Sequence, residues 1–447
     1  MTVDPAPDDV VAKLQALVRI PTVSDRNAAN VDTAAFDAFL AEHERLFPRL
    51  YAALEQTRVG THGLLFRWAG TSAARPVVLM AHLDVVPVDE TAPWQHPPFS
   101  AEIHDGAVWG RGTLDDKGCL VAISEAVERL LERGVVPAQD VWLSFGSDEE
   151  VSGTAAREAV AELTRRGVEP WFVIGEGGAI AGDAFPGIKP PVGAIGVTEK
   201  GTTSVVLRVE GRGGHASTPA RNGPTARLAR AILKVDRNPM PASVSDTTVE
   251  LFRRLSGHAP LPLKPLMANA DRLRPVLTRA LVAAGPESAA MTRTTFATTT
   301  LSGSPALNVI ASSARAGINV RVMVGDTVAD VVAHLRKVIG DKRVHIDVVE
   351  EGEASPVSPV DDDAFRLIES TVVELFPDAV PAPYVMMAAT DSRHFTTICP
   401  RVYRFAPFRM SKAQRQAIHS YDEHLGIEDF RTGVDWYQRL IERLPTT

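Results

Sequence analysis

The strongest constraint on the fold is a recurring pair: a short apolar run, then at once an acid or an imidazole. Val77-Val78-Leu79-Met80-Ala81 runs into His82-Leu83-Asp84. Val141-Trp142-Leu143-Ser144-Phe145 leads to Ser147-Asp148-Glu149-Glu150, and Trp171-Phe172-Val173-Ile174 to Gly175-Glu176-Gly177-Gly178. Such runs have no face to offer water, so each reads as a parallel strand buried on both sides. Between them, Leu120, Ile123, Val127 and Leu130 recur at helical spacing within Cys119–Arg133, and Gly134 follows as a stop. Strands alternating with helices predict an α/β fold with a mostly parallel central sheet flanked by helices. In such sheets ligands bind at the carboxyl ends of the strands, where these acids stand.

Near residue 199 the pattern changes. Thr203 to Val209, Ala316 to Val324 and Val344 to Val349 read as strands, and Pro224 to Val235 and Val328 to Ile339 as helices. None of these strands ends in an acid series. A smaller α+β domain, 199–352, is therefore expected as an insertion in a main domain of 1–198 and 353–447. The segment 239–291, rich in Pro and Leu, reads as extra helical packing on the insert. The chain then returns through a helix from Asp362 to Phe376 and a strand from Arg401 to Phe405. A closing helix, Ile427 to Leu444, repeats Phe430, Val434, Tyr437 and Ile441 on one face.

The 447 residues suit two domains, and 45% hydrophobic with 23% charged residues is ordinary for a globular enzyme. A net charge of −8 with no basic stripe argues against nucleic acid as a partner. No apolar run approaches the roughly 20 residues of a membrane span. Met1-Thr2-Val3-Asp4-Pro5 lacks the pattern of a secretory signal, and two cysteines, Cys119 and Cys399, fit a reducing compartment. A cytoplasmic location is expected.

His82 and Asp84, two apart at a strand exit, point to the same side. That suits a metal-binding imidazole whose tautomer is fixed by a carboxylate, or simply a solvated strand end. Gly110-Arg111-Gly112-Thr113-Leu114-Asp115-Asp116-Lys117-Gly118 carries paired acids into a helix start. Helix capping explains acids there but not the glycines, which permit a backbone that presents Asp115 inward. The acids at 148–150 read as a solvated face, or as a group whose repulsion a cation must offset. Glu176 is a further acid in the series.

With these motifs and Ile418-His419-x-x-Asp422-Glu423, the chain from about residue 10 to its end resembles the co-catalytic zinc metallopeptidases. That family includes acetylornithine deacetylase, succinyl-diaminopimelate desuccinylase, aminoacylase and glutamate carboxypeptidase. Val85-Val86-Pro87-Val88, Trp94, Pro97-Pro98-Phe99-Ser100 and Tyr403-Arg404-Phe405 are most similar to its Gly-X carboxypeptidase and N-fatty-acyl-amino-acid hydrolase branch. That branch often has Asp-Glu-Gly-Gly where this chain has Gly175-Glu176-Gly177-Gly178, which leaves Glu176 as the ligating carboxylate there.

The resemblance implies two zinc ions per subunit, with cobalt or manganese accepted by the same donors. His82, Asp115 and Glu176 would hold one; Asp115, Glu150 and His419 the other. It further implies a cis peptide at Asp115-Asp116, Glu149 as general base and Asp84 as the group that holds His82. His215, in Gly211-Arg212-Gly213-Gly214-His215, reads by itself as structural. The resemblance makes it an oxyanion stabiliser reaching a partner subunit's site, so a homodimer is expected, with the insert as lid and dimerisation domain. Asn308 and Arg321 match positions that bind substrate backbone and carboxylate, against a strand-end hydrogen bond and a surface ion pair. Thr390, Asp391 and Arg393 are expected in the same pocket.

The expected reaction is hydrolysis of an amide beside a free amino-acid carboxylate, on an N-acyl amino acid or short peptide. An aminopeptidase with the same metal centre and a non-catalytic ligand-binding relative are the alternatives. The apolar stretch Leu261 to Val282 suggests an acyl pocket, or ordinary packing.

Overall fold

The computed structural model describes residues 10–446 apart from 90 and 186. Its largest element is a ten-stranded mixed sheet. The strands Val141–Gly146, Val77–His82, Phe172–Gly175 and Val402–Arg404 lie side by side at its centre, all parallel. Antiparallel pairings extend both edges, to Gly63–Trp68 on one side and Val192–Glu199 on the other.

The apolar runs lack alternation because both faces of the sheet are covered. Along the Val77–His82 strand, Val77, Leu79 and Ala81 pack into one core, and Val78 and Met80 into another. The first core is closed by helices Val10–Val18, Lys117–Glu132, Asp363–Leu375 and Ile427–Glu442. Phe430, Val434, Tyr437 and Ile441 of the last are all buried in it. The second lies under helix Ala155–Arg165 and the turn Asp391–Thr397.

A second, four-stranded antiparallel sheet is ordered Thr295–Ser302, Ser313–Val322, Gly201–Glu210, Val344–Glu350. Helices Pro224–Arg237 and Val328–Ile339 cover one face and share its own core. Thr327 caps the latter helix through a reciprocal bond with Asp330, and Gly340 ends it in the left-handed conformation.

The 239–291 segment departs from its expected place. Helices Asp246–Leu255 and Arg274–Ala284 contribute Val249, Leu251, Phe252, Leu255, Leu277 and Leu281 to a core completed by Ile188, Val192 and Ala382. Val192 and Ala382 belong to strands of the large sheet and Ile188 to the loop leading into it, so the segment packs on that sheet rather than on the small one. Composition marked the segment as apolar, but amphipathic helices do not record which sheet they cover.

His43 is buried in the first core, its ring nitrogens 3.0 Å from the Tyr51 hydroxyl and 2.9 Å from Ser124 Oγ. Burial lowers its pKa to about 3. The folded protein therefore binds one proton fewer than the unfolded chain between about pH 3 and the ordinary imidazole value near 6.5. Stability contributed by neutral His43 is complete above that window and is lost as pH falls through it. The unfolding free energy of the wild type, from urea titrations, should fall below pH 6.5 with an extra slope of up to ~1.4 kcal/mol per pH unit relative to His43→Gln; parallel curves would contradict this.

Candidate functional site

The carboxyl ends of the central strands and the turn at 110–118 deliver their acids to one cleft. Asp115 lies at its middle. Its Oδ1 is 3.0 Å from His82 Nε2, and its Oδ2 is 3.0 Å from His419 Nε2. Two triads share it: His82, Asp115 and Glu176, and Asp115, Glu150 and His419, each with donor atoms within 4.8 Å of one another. His419 Nε2 is also 3.0 Å from Glu150 Oε2. The peptide between Asp115 and Asp116 is cis.

Asp84 is buried at the end of its strand and acts in two directions. His82 Nδ1 donates to the Asp84 carbonyl at 3.0 Å and lies 3.4 Å from its carboxylate. The same carboxylate accepts the backbone N–H groups of Glu149 and Glu150, at 3.2 and 3.1 Å. One side chain thus orients an imidazole and fixes the turn that presents the next two acids.

The electrostatics of the cleft follow from burial and like charge. Burial, and then the charges of neighbouring acids, hold Glu149 and Glu176 well above the ordinary carboxyl range. Burial also raises Glu150 and Asp116, the latter despite the nearby His82. The hydrogen bonds that His419 donates to Asp115 and Glu150 push it up to about 10. His82 too is raised, against its burial, by Asp115 and Asp84. Both imidazoles thus lend positive charge to the acids they face. Two imidazoles, two terminal carboxylates and a carboxylate between them form a donor set suited to a pair of divalent ions, and such ions offset the repulsion.

Two groups hold the shared acid in place from behind. Buried Glu423 accepts the backbone N–H groups of Gly112, Leu114 and Asp115 on one oxygen, at 3.1, 2.8 and 3.1 Å. Its other oxygen pairs with Arg111 Nη1 at 2.7 Å, and Arg111 also reaches the Ser420 carbonyl. This buried pair ties the His419 loop to the Asp115 turn. Both residues lie inside the sequence motifs, yet spacing alone gave them no role.

A second polar group adjoins the cleft. Glu199, at 1% exposure, accepts the Thr390 N–H and hydroxyl, at 3.1 and 3.0 Å, and Arg404 Nε at 3.1 Å. Its other oxygen is 3.2 Å from Arg393 Nε. Arg321, half-buried on the small sheet, donates to Thr202 Oγ1 at 2.8 Å and has its pKa lowered by burial and then by the Arg393 charge. Two guanidinium groups thus stand close together beside one buried carboxylate. Burial, opposed by His82, raises Asp391 to about 7, and Asp391 in turn contributes to the upward shift of Glu149. Glu199 escaped the sequence reading although it too is an acid ending an apolar strand, Val192–Glu199.

His215 and Asn308 lie elsewhere. They occupy a two-stranded ribbon in which His215 pairs with Val309, and the Asn308 carbonyl accepts the Ala216 N–H at 3.1 Å. Both are exposed, and His215 Nδ1 is 2.7 Å from Ser217 Oγ. The structure sets the two side by side and leaves them without a described contact to the cleft of their own chain. Cys119 is buried on its helix, as a small core residue.

Residues 78–443 match the model of peptidase family M20/M25/M40. "Probable carboxypeptidase S-like 2" of Dictyostelium discoideum is 36% identical over 412 residues, 90% of this chain and 79% of that protein. Human "N-fatty-acyl-amino acid synthase/hydrolase PM20D1" is 34% identical over 440 residues, 97% of this chain and 87% of that protein. Among solved structures, the M20 family metallo-carboxypeptidase Sso-CP2 of Sulfolobus solfataricus aligns with a TM-score of 0.73 at 17% identity, covering 97% of this chain and 98% of that one. The Bacillus subtilis YXEP protein, a dinuclear metal binding peptidase from M20 family, aligns at 0.60 and 14% identity, over 97% and 96%. The chain belongs to peptidase family M20/M25/M40.

Glu423→Gln would leave Arg111 buried and unpaired behind the Asp115 turn. Breaking such a pair costs about 3–5 kcal/mol, measurable as a lower urea midpoint. An unchanged midpoint would show that the Arg111–Glu423 pair does not hold the turn.

Proposed function

We propose that this M20-family enzyme is a dinuclear zinc amidohydrolase, cleaving an amide next to a free amino-acid carboxylate. The observation that carries the reading is Asp115, whose two oxygens face the imidazoles of two separate three-residue groups. His82, Asp115 and Glu176 would hold one ion and Asp115, Glu150 and His419 the other. Bound there, two zinc ions supply Lewis-acid polarisation of the scissile carbonyl and a lowered water pKa.

The chain's own residues then have distinct tasks. Glu149 takes the proton from the attacking water and returns it to the departing nitrogen. The burial and neighbouring acids that raise its pKa suit a carboxyl that must hold a proton between the two transfers. Asp84 fixes the Glu149 turn through its backbone N–H. Arg393 and Arg321, with Thr390, would receive the substrate carboxylate, since a planar guanidinium binds carboxylate in bidentate fashion. Buried Glu199 offsets their charges and fixes the Arg393 head group. Asp391 would line the pocket near Glu149.

The acyl side has a place of its own. A cavity of about 900 Å³ begins at Gly177 and Gly178, directly after Glu176, and is lined by Phe185, Ile188, Leu251, Met291, Tyr384 and Met387. The Leu261 to Val282 stretch does not line it: Leu277 and Leu281 pack in the core behind, and Leu261 is exposed. An N-acyl chain fits this apolar channel, in keeping with the relatives named for N-fatty-acyl-amino acids.

We read residues 199–352 as a lid and dimerisation domain. The Thr295–Ser302 strand lies at a sheet edge and is mostly exposed, with Leu301 at 69%. An uncovered edge strand is a template for pairing with a second copy. The exposed ribbon would then carry His215 and Asn308 to the partner's cleft, where His215 stabilises the oxyanion. Two free, buried cysteines accord with a reducing, cytoplasmic setting. No helix among the described residues is long and apolar enough to cross a membrane.

Glu149→Gln should lower kcat by roughly 10²–10⁴-fold with metal content unchanged by elemental analysis. Full activity in this variant would remove Glu149 as the base. For the channel, kcat/KM should rise with acyl length by up to about fourfold per buried methylene. Leu251→Trp should abolish that gain for long chains while sparing N-acetyl substrates; equal turnover of all chain lengths by the wild type would contradict the assignment.

A further inference from the structure

Outside the acidic cleft, one more group of ligand-type side chains converges among the described residues. His96, Glu102 and His104 each bring a donor atom within 4.8 Å of the others. Glu102 Oε2 lies 3.1 Å from His96 Nδ1 and 3.1 Å from His104 Nε2. Donors about 2.0–2.1 Å from an ion stand roughly 3.3 Å apart in a tetrahedral shell. The observed spacing is close to that of such a shell.

The strand and its neighbours hold the three donors together. Glu102 and His104 are two apart on the Glu102–His104 strand and so share a face. His96 arrives from the preceding loop, its ring stacked on His104 at 3.9 Å and edge-on to Trp109 at 4.9 Å. Trp109, opposite Glu102 in the next strand, donates its indole N–H to the His104 carbonyl at 3.1 Å. Its other neighbour is His424, stacked at 4.1 Å, on the third strand of the same small sheet. That third strand follows Glu423, the carboxylate behind Asp115.

We propose that His96, Glu102 and His104 form a third metal site, distinct from the acidic cleft, for a borderline divalent ion such as Zn²⁺ or Cu²⁺. Two imidazoles and one carboxylate suit these ions better than Mg²⁺ or Ca²⁺, which take oxygen donors. With three protein donors at the surface, water completes the shell and the ion exchanges freely. The stacked rings need one to turn for both nitrogens to face the ion, and the exposed His104 ring has room to do so. An ion bound here bridges the His96 loop and the small sheet that continues into the Glu423 anchor.

The test is equilibrium dialysis of the metal-stripped full chain against saturating Zn²⁺, with bound metal counted by elemental analysis. The wild type should retain one equivalent more than His96→Gln/His104→Gln. Amide hydrolysis should be the same in both once the cleft is loaded. Glu102→Gln, which keeps the side-chain shape, should also lose the extra equivalent and serves if the double variant fails to fold. Equal equivalents in the wild type and these variants would overturn the proposal. The difference is read whatever the cleft itself binds, so it stands or falls separately from the dinuclear reading.

Discussion

Five carboxylates gathered in one cleft repel each other, and the larger half of the chain is built to keep them there. Asp115, Asp116, Glu149, Glu150 and Glu176 come from two strand ends and one glycine-rich turn. Three of them have their backbone N–H groups held by further carboxylates: Asp84 accepts those of Glu149 and Glu150, and Glu423 accepts that of Asp115 together with Gly112 and Leu114. Among the chain's own groups, the His82 and His419 imidazoles offset part of that charge. A scaffold that holds acids at such proximity is a site for positive charge, and the shared position of Asp115 divides that charge between two places.

Much of the cleft was legible in the sequence because a buried parallel strand has a plain signature. An apolar run without alternation fixes the strand, and the residue after it must face the ligand end of the sheet. Val77–His82, Val141–Gly146 and Phe172–Gly175 are strands with their acids and imidazole at the expected ends. The helix at Val328–Ile339 has the expected bounds, since its capping box and terminal glycine are local signals.

What the sequence hid depends on long-range partners. Glu423 is one acid among 55 acidic residues, and only the fold reveals that it sits behind Asp115. Glu199 ends its strand as the other acids do, but it stands where the pattern changes, and there an acid marks a domain border as readily as a site. The 239–291 helices carry apolar stripes that would suit either sheet; the structure seats them on the larger one, where they wall the apolar channel. Arg321 comes from the small sheet and Arg393 from the turn at 391–397, and it is the fold rather than any motif that brings their charges together beside Glu199.

The central claim is that one carboxylate, Asp115, bridges two metal ions. Anomalous X-ray scattering at the zinc edge, from crystals of the wild type and of Asp115→Asn, tests it most directly. The account predicts two zinc peaks in the wild-type cleft, one beside His82 and Glu176 and one beside Glu150 and His419, and the loss of both in the variant. Two full-occupancy peaks in Asp115→Asn would contradict it, as would a single peak in the wild type.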